Sequence, residues 1–427
     1  MRISTAQIFD AGFKGINRNQ YEVFRLQNQL STGRRVLTPQ DDPIAAAQAL
    51  VLTQAQTVSE QHLTNQEDAQ NKLGVAENQL NALGDLLQSV REKMVQAGST
   101  TLSNADRQYI VQELEARYSE LLGIANAQDG AGSYLFSGYQ GAVRPFAETQ
   151  TGAQYYGDDG ERLQQIGAAR QIPTNVSGSD LFMTVPTGNG NFSTSTGGNT
   201  GGGINQGSAV IDQGSVADLG AWRSAVNNGY GALEIRFSVS GSTTQYEIFS
   251  GSPAASISAS PINFVPGQSI PLIDTVASPA VDIGASVVVT GAPADGDTFS
   301  IAASTNQSIF TTLRDTINTL KSGIGSVVNG NSSTEYVNDL ARNMQNLDQA
   351  MENVTKVRAT VGSYLRELDS LHSSAEDMSL QYQMSLSALQ DLDYTKAITE
   401  MSQKTTQLEA AQLSFKQTSQ LSLFSIL

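Results

Sequence analysis

The sequence predicts an α+β chain: an elongated antiparallel helical coiled-coil rod built from both ends, with a central β-rich insert domain. Three observations predict it. From Leu73 the apolar positions run Ala76, Leu80, Leu83, Leu87, Val90 and Met94, in alternating steps of three and four. The same rhythm returns from Val337 as Leu340, Met344, Leu347, Met351 and Val354, then Val361, Leu365 and Leu368. Between them lies a stretch rich in Ser, Gly and Thr that cannot hold a helix. Seams of this period bury themselves only against other helices. Rods at both ends of a chain fit a building block of an assembly better than a catalyst.

The first helix is expected over about residues 3 to 32. Phe9, Ile16, Val23 and Leu30 recur every seventh position, Phe13 and Leu26 fill intermediate ones, and Gln20 and Gln27 interrupt the stripe. Gly33 stands where a left-handed cap ends a helix. In the turn that follows, Asp42 is placed as an N-cap with Pro43 at the first helical position, and Asp41 beside it completes a helix-cap motif. The helix begun there runs to about Gly98, roughly 80 Å at 1.5 Å per residue. A further helix opens at Ser103-Asn104-Ala105-Asp106, a capping box with Asp for Glu, and turns Ile110, Leu114, Tyr118, Leu121 and Ala125 inward. Ser133 to Tyr139 has the aromatic and glycine mix of a strand and tight turn.

Residues 145 to 305 change character. Leu233–Val239 and Tyr246–Phe249 alternate apolar with polar residues and meet through Gly241-Ser242, which predicts a hairpin. Val287–Val289 and Thr298–Ile301 bracket Asp295-Gly296-Asp297, a second hairpin turn. Helix resumes at Ser308 with Leu313, Ile317, Leu320, Ile324 and Val327 inward, breaks at Asn329-Gly330-Asn331, and the long seam follows. The last helix is expected from about Leu389 to Leu423, with Ile398, Met401, Leu408, Ala411, Phe415, Leu421 and Phe424. The expected domains are therefore 1–40 with 390–427 as terminal helices, 41–145 with 306–389 as the rod, and 146–305 as the insert.

Burying a large side chain gains roughly 1.5–3 kcal/mol, while ordering backbone costs about 1–2 kcal/mol per residue. With one apolar position in three or four, neither end helix holds itself. The terminal stripes, Phe9, Phe13, Ile16, Val23, Leu26 and Leu30 with Ile398, Met401, Leu408, Phe415, Leu421 and Phe424, are thus read as an assembly interface. The free ends are expected to be disordered until neighbouring copies cover them.

Composition narrows the remaining choices. The chain has 427 residues, a net charge of −16 and a pI near 4.5. That opposes binding to nucleic-acid phosphates or an anionic membrane face. Cysteine is absent, which excludes disulfides and thiolate chemistry, and no cofactor motif occurs. No apolar run reaches the roughly 18 residues needed to span a bilayer, and the start does not read as a cleaved secretory signal. His62 and His372 fall on packing positions. Asp295 and Asp297 fit a turn better than a cation site, and Trp222 and Tyr230 fit a hydrophobic plug better than a sugar-stacking face. An enzyme is not expected.

Gln29-Leu30-Ser31-Thr32-Gly33-Arg34-Arg35 followed by Asp41-Asp42-Pro43-Ile44-Ala45-Ala46-Ala47 resembles the N-terminal signature of bacterial flagellins and their hook-associated relatives. Leu87 to Ala97 and the last forty or so residues are similar to that family's helical segments. Within it, Asp42-Pro43, the Leu135-Phe136-Ser137-Gly138 stretch with Pro145-Phe146, and Gly291 to Phe299 resemble the hook–filament junction branch. The resemblance implies a structural adaptor that joins the first hook-associated protein to flagellin. It would self-associate in one ring of the extracellular flagellum, after unfolded type III export with a chaperone on the C-terminal helix. The rival readings are a flagellin filament subunit and a stalked glycan-binding module.

Overall fold

The computed structural model describes residues 5–99, 101–251, 253–323 and 333–424, with backbone alone at 5, 6, 8 and 418–424. The helices are α1 (Thr5–Thr32), α2 (Pro43–Ala97), α3 (Asn104–Ala125), α4 (Leu219–Ala225), α5 (Ile309–Ser322), α6 (Ser333–Gln390) and α7 (Tyr394–Phe424). The chain forms two compact units. The first holds Met1–Glu67, Gln165–Arg170 and Leu368–Leu427; the second holds Asp68–Gln164 and Gln171–Glu367.

In the first unit α1 packs antiparallel along α7. Gly33, at φ 71°, ends α1 by donating its N–H to the Gln29 carbonyl at 2.8 Å. The last helix does not start at Leu389 as expected: α6 runs past Leu368 to Gln390, and α7 begins at Tyr394. The link carries its own cap, because Asp393 Oδ1 accepts the Lys396 N–H at 3.1 Å. Leu392 also donates to the Gly33 carbonyl at 2.9 Å. Apolar periodicity continues through this link, so it hid the break; the cap and the pairing with Gly33 make it.

The helices of the second unit close on Leu73, Leu80, Leu83, Leu87, Val90 and Met94 of α2, all at most 1% exposed. Facing them are the predicted stripe of α3, Leu313, Ile317 and Leu320 of α5, and Leu340, Leu347 and Val354 of α6. The Ser103–Asp106 capping box forms on α3, and Ser308 caps α5 through the Thr311 N–H. Ile324, Val327 and the Asn329-Gly330-Asn331 break lie outside the described residues.

Ser133 to Tyr139 forms turns and one isolated bridge, Gln128 to Tyr134, rather than a strand. Phe136 is fully buried, edge-on to Phe182 at 5.4 Å. Gly138 has φ 68°, and a Cβ there would meet the Asp158 carbonyl oxygen at 2.1 Å. Burial of one ring and a glycine-only bend overrode the strand propensity of the aromatics.

Strand β1 (Phe146–Thr149) pairs with β2 (Gly152–Tyr155), and β3 (Leu163–Gln165) with β4 (Gln171–Pro173). The insert adds β5 (Val185–Pro186), β6 (Phe192–Asn199), β7 (Val210–Ile211), β8 (Ser215–Val216), β9 (Ala232–Ser240), β10 (Thr243–Ser250), β11 (Ala255–Ser256) and β12 (Ile262–Asn263). It closes with β13 (Ser269–Asp274), β14 (Val281–Thr290), β15 (Asp297–Ala303) and β16 (Asn306–Gln307). One sheet runs β11-β10-β9-β15-β6, with β12 on β10; the other runs β13-β14-β7, with β8 on β14. The β9–β10 hairpin forms where predicted, Ser240 opposite Thr243. The predicted second hairpin does not, because β14 and β15 lie in different sheets. The Asp297 carboxylate, fully buried, instead accepts the Gln206, Gly207 and Ala294 N–H groups at 2.8, 2.9 and 2.8 Å.

The insert is tied to α6 by asparagines. Asn338 accepts the Ile211 N–H, Asn346 accepts the Gly188 N–H, and Asn353 donates to the carbonyls of Asp180 and Leu181. These positions are eight and seven residues apart, so they share one helix face.

Candidate assembly surface

The α1–α7 pair is stitched at both ends. Near the start of α1, the Phe9 ring meets Phe415 edge-on at 5.6 Å, and Gly12 gives the Phe415 ring room against its backbone. Near its close, Leu26 and Ala397 are buried, and Gln29 Nε2 donates to the Arg35 carbonyl at 2.6 Å. Between these points Ile16, Val23, Leu30, Met401 and Leu408 are only half-buried, as are Phe9 and Phe415.

Two members of the expected stripe point elsewhere. Phe13 is 57% and Ile398 55% exposed, because each lies about a quarter turn off the line its helix presents to its partner. Leu421 and Phe424 carry side chains outside the described residues. Sequence reasoning passed over Tyr21, Phe24 and Leu413, which are exposed large apolar residues of the same pair. Their missing signal was angular: the heptad frame had no place for them. These two helices together leave much apolar side-chain surface uncovered.

The cap motif forms an elbow. Asp42 Oδ1 accepts the Ala45 N–H at 3.0 Å, starting α2 at Pro43, and its Oδ2 meets Arg35 at 3.1 Å. Asp41 Oδ2 accepts the N–H groups of Thr38 and Leu37 at 2.8 and 3.1 Å. These bonds hold both carboxyls below the usual carboxylate range, the Thr38 N–H acting most on Asp41 and the Ala45 N–H on Asp42. Arg35 was not singled out from sequence. It bridges the elbow, donating its N–H to the Gln390 carbonyl and a guanidinium N–H to the Leu389 carbonyl, each at 2.7 Å. Gly33 keeps this junction close, since a Cβ there would meet the Tyr394 hydroxyl at 2.9 Å.

The other candidates are occupied structurally. His62 and His372 are half-buried on helices, and His372 Nε2 lies 3.4 Å from Glu376. Asp295 accepts the Val239 N–H at 2.9 Å. Trp222 is buried in the insert core, and Tyr230 packs against that core and donates to Asp274 at 2.7 Å. Among the described residues no cluster of three His, Cys, Asp or Glu is placed to hold a metal ion, and no helix is long and apolar enough to cross a membrane.

The family model of the bacterial flagellin N-terminal helical region matches residues 3–141, and that of the flagellin C-terminal helical region matches 344–427. Together they take in just over half of the chain, in the order and at the ends where the paired helices stand. The chain belongs to the bacterial flagellin family. Among curated relatives, flagellar hook-associated protein 3 of Salmonella typhimurium is 37% identical over 185 residues, 43% of this chain and 58% of that protein. The Escherichia coli protein of the same name is 35% identical over the same shares. The chain thus matches rather more than half the length of these relatives. Among solved structures, hook-associated protein 3 of Legionella pneumophila superposes with a TM-score of 0.69 at 25% identity, covering 79% of this chain and 98% of that one. FlgL of Xanthomonas campestris gives 0.66 at 26%, covering 79% and 99%. The α+β plan, helical ends around a β-rich centre, is that of these flagellin-family structures.

Proposed function

We propose that this chain is the structural adaptor joining the flagellar hook to the flagellin filament. The observation that carries the reading is its likeness, over nearly the whole of two solved chains, to proteins named hook-associated protein 3 and FlgL. The half-covered α1–α7 pair supports it physically. Neighbouring copies supply the burial that one pair lacks, so assembly adds to stability by mass action.

In this reading the terminal helices, 1–40 and 390–427, are the assembly element, 41–145 with 306–389 the rod, and 146–305 the outward insert. The partners are the first hook-associated protein on one side and flagellin on the other, with copies of the chain forming a ring. The chain leaves the cell unfolded with an export chaperone on α7 and works in the extracellular flagellum without catalysis. Relatives named hook-associated protein 3 and FlgL favour this reading over a flagellin filament subunit. Deleting the gene tests it: flagellin should appear in the medium beside complete, bare hooks. Normal filaments in the deletion strain would refute it.

A further inference from the structure

The chain holds three Asn-Gly pairs, Asn189-Gly190, Asn228-Gly229 and Asn329-Gly330. Such a pair can react with itself. The glycine nitrogen attacks the asparagine Cγ, the new C–N bond closes a succinimide ring, and the side-chain nitrogen leaves as ammonia. Water then opens the ring at one of its two carbonyls, giving aspartate or isoaspartate, and nothing else is consumed. Glycine favours the attack because no Cβ crowds its nitrogen and its backbone turns freely. The rate at each pair then depends on how firmly the fold holds the amide and the nitrogen that follows it. Asn329-Gly330 lies outside the described residues.

The other two pairs stand in opposite settings. The Asn189 amide is tied down on both sides. Its Oδ1 accepts the Asn191 and Phe192 N–H groups at 3.0 and 2.9 Å, and its Nδ2 donates to the Gln213 and Gly214 carbonyls at 3.0 and 3.3 Å. The Gly190 nitrogen is engaged as well, donating to the Thr187 carbonyl at 3.2 Å. Asn228 lies in the wide helical turn Val226–Tyr230 that leads from α4 into β9. Asn227, Asn228 and Gly229 are all exposed, and the Asn228 amide has no hydrogen-bond partner among the described residues. Gly229 leaves the helical conformation at φ 97° and ψ 2°, and a Cβ built there would find nothing within 4 Å.

We propose that Asn228 is a site of spontaneous self-modification, converting to aspartate and isoaspartate through the Gly229 nitrogen. The proposal goes beyond the junction reading and stands apart from it. The Asn228 side chain is free to turn toward the next nitrogen, and open water supplies the second step. Asn189 must first break its hydrogen bonds, so it reacts only through local opening. Each event replaces a neutral amide with a carboxylate on a chain whose net charge is already −16. The isoaspartyl form also routes the main chain through the side-chain carbon, lengthening it by one atom just ahead of β9. Tyr230, two residues on, packs against the insert core and donates to Asp274 at 2.7 Å, so the change falls beside a structural anchor.

Full-length protein held at neutral pH tests this. Its peptides are mapped by mass spectrometry at intervals, and isoaspartate is counted by enzymatic methylation. The expected result is conversion at Asn228 several-fold faster than at Asn189. Asn228→Gln should leave the melting midpoint unchanged and abolish the isoaspartate signal of that peptide. In guanidinium chloride at the same pH, where the hydrogen bonds of Asn189 are gone, the two pairs should convert at similar rates. Equal conversion of both pairs in the folded protein would overturn the proposal. So would an isoaspartate signal that survives Asn228→Gln, or an Asn189 that stays several-fold slower after unfolding.

Discussion

Asp41 and Asp42 are neighbours with separate tasks, one closing the turn after α1 and the other capping α2. Both carboxyls are lowered in the fold, chiefly by backbone N–H bonds from Thr38 and Ala45 respectively. A lowered native value means that their stabilisation is present above the unfolded value of about 3.9 and is lost as the pH falls through the native one. Acidification below about pH 4 should therefore lower the protection of the Thr38 and Ala45 amides relative to intrinsic exchange at the same pH, and Asp42→Asn should remove that change in protection at Ala45. Asp315 on α5 behaves in the opposite sense. Burial raises its carboxyl, with the Arg342 charge and Gln307 Nε2 only partly offsetting this. Its contribution is fully present below the unfolded value and lost as the pH rises through the native one. Asp315→Asn, which keeps an acceptor for Gln307, should raise the melting midpoint at pH 7 and leave it unchanged near pH 3. Thermal unfolding at the two pH values checks it.

At the scale of elements, two kinds of substitution probe the second unit. Leu83 is fully buried in the α2 seam, so Leu83→Ala should cost about 2–5 kcal/mol in denaturant unfolding. Asn346→Ala should cost about 1–3 kcal/mol, because it leaves the Gly188 N–H and the Gln307 side-chain oxygen without their partner. The first is legible in sequence and the second is not. Leu83 belongs to a period that repeats every few residues, and period is local. Asn346 reads as one more polar residue on a helix, and its role exists only because a loop more than 150 positions away comes to it. The same distinction runs through the fold. Caps at Asp42, Ser103 and Ser308 and the β9–β10 hairpin rest on residues a few positions apart. The crossing from β14 to β15, the Arg35 bridge and the burial of Asp297 are made by long-range pairing. At the candidate assembly surface, the heptad positions located the α1–α7 contact. The outward faces at Phe13, Tyr21 and Phe24 required knowing which side α7 occupies.

For the whole molecule, the second unit has a closed core, whereas the terminal helices only half-cover one another. The sequence led to the expectation of disordered ends in the free chain; the structure pairs them as helices and leaves much of their apolar surface open. Such a pair has a low opening free energy, since few buried contacts hold it. Phe415→Asp should consequently block incorporation at the hook while the insert and its flanking helices keep their native melting transition. Whether neighbouring copies complete the burial of α1 and α7 is decided by amide hydrogen exchange over these helices, on dilute monomer and again on assembled protein. Exchange should be fast across residues 9–30 and 398–415 in the monomer and strongly slowed after assembly, with no change in the buried stretch of α2. Equal protection of the terminal helices in both states would contradict it.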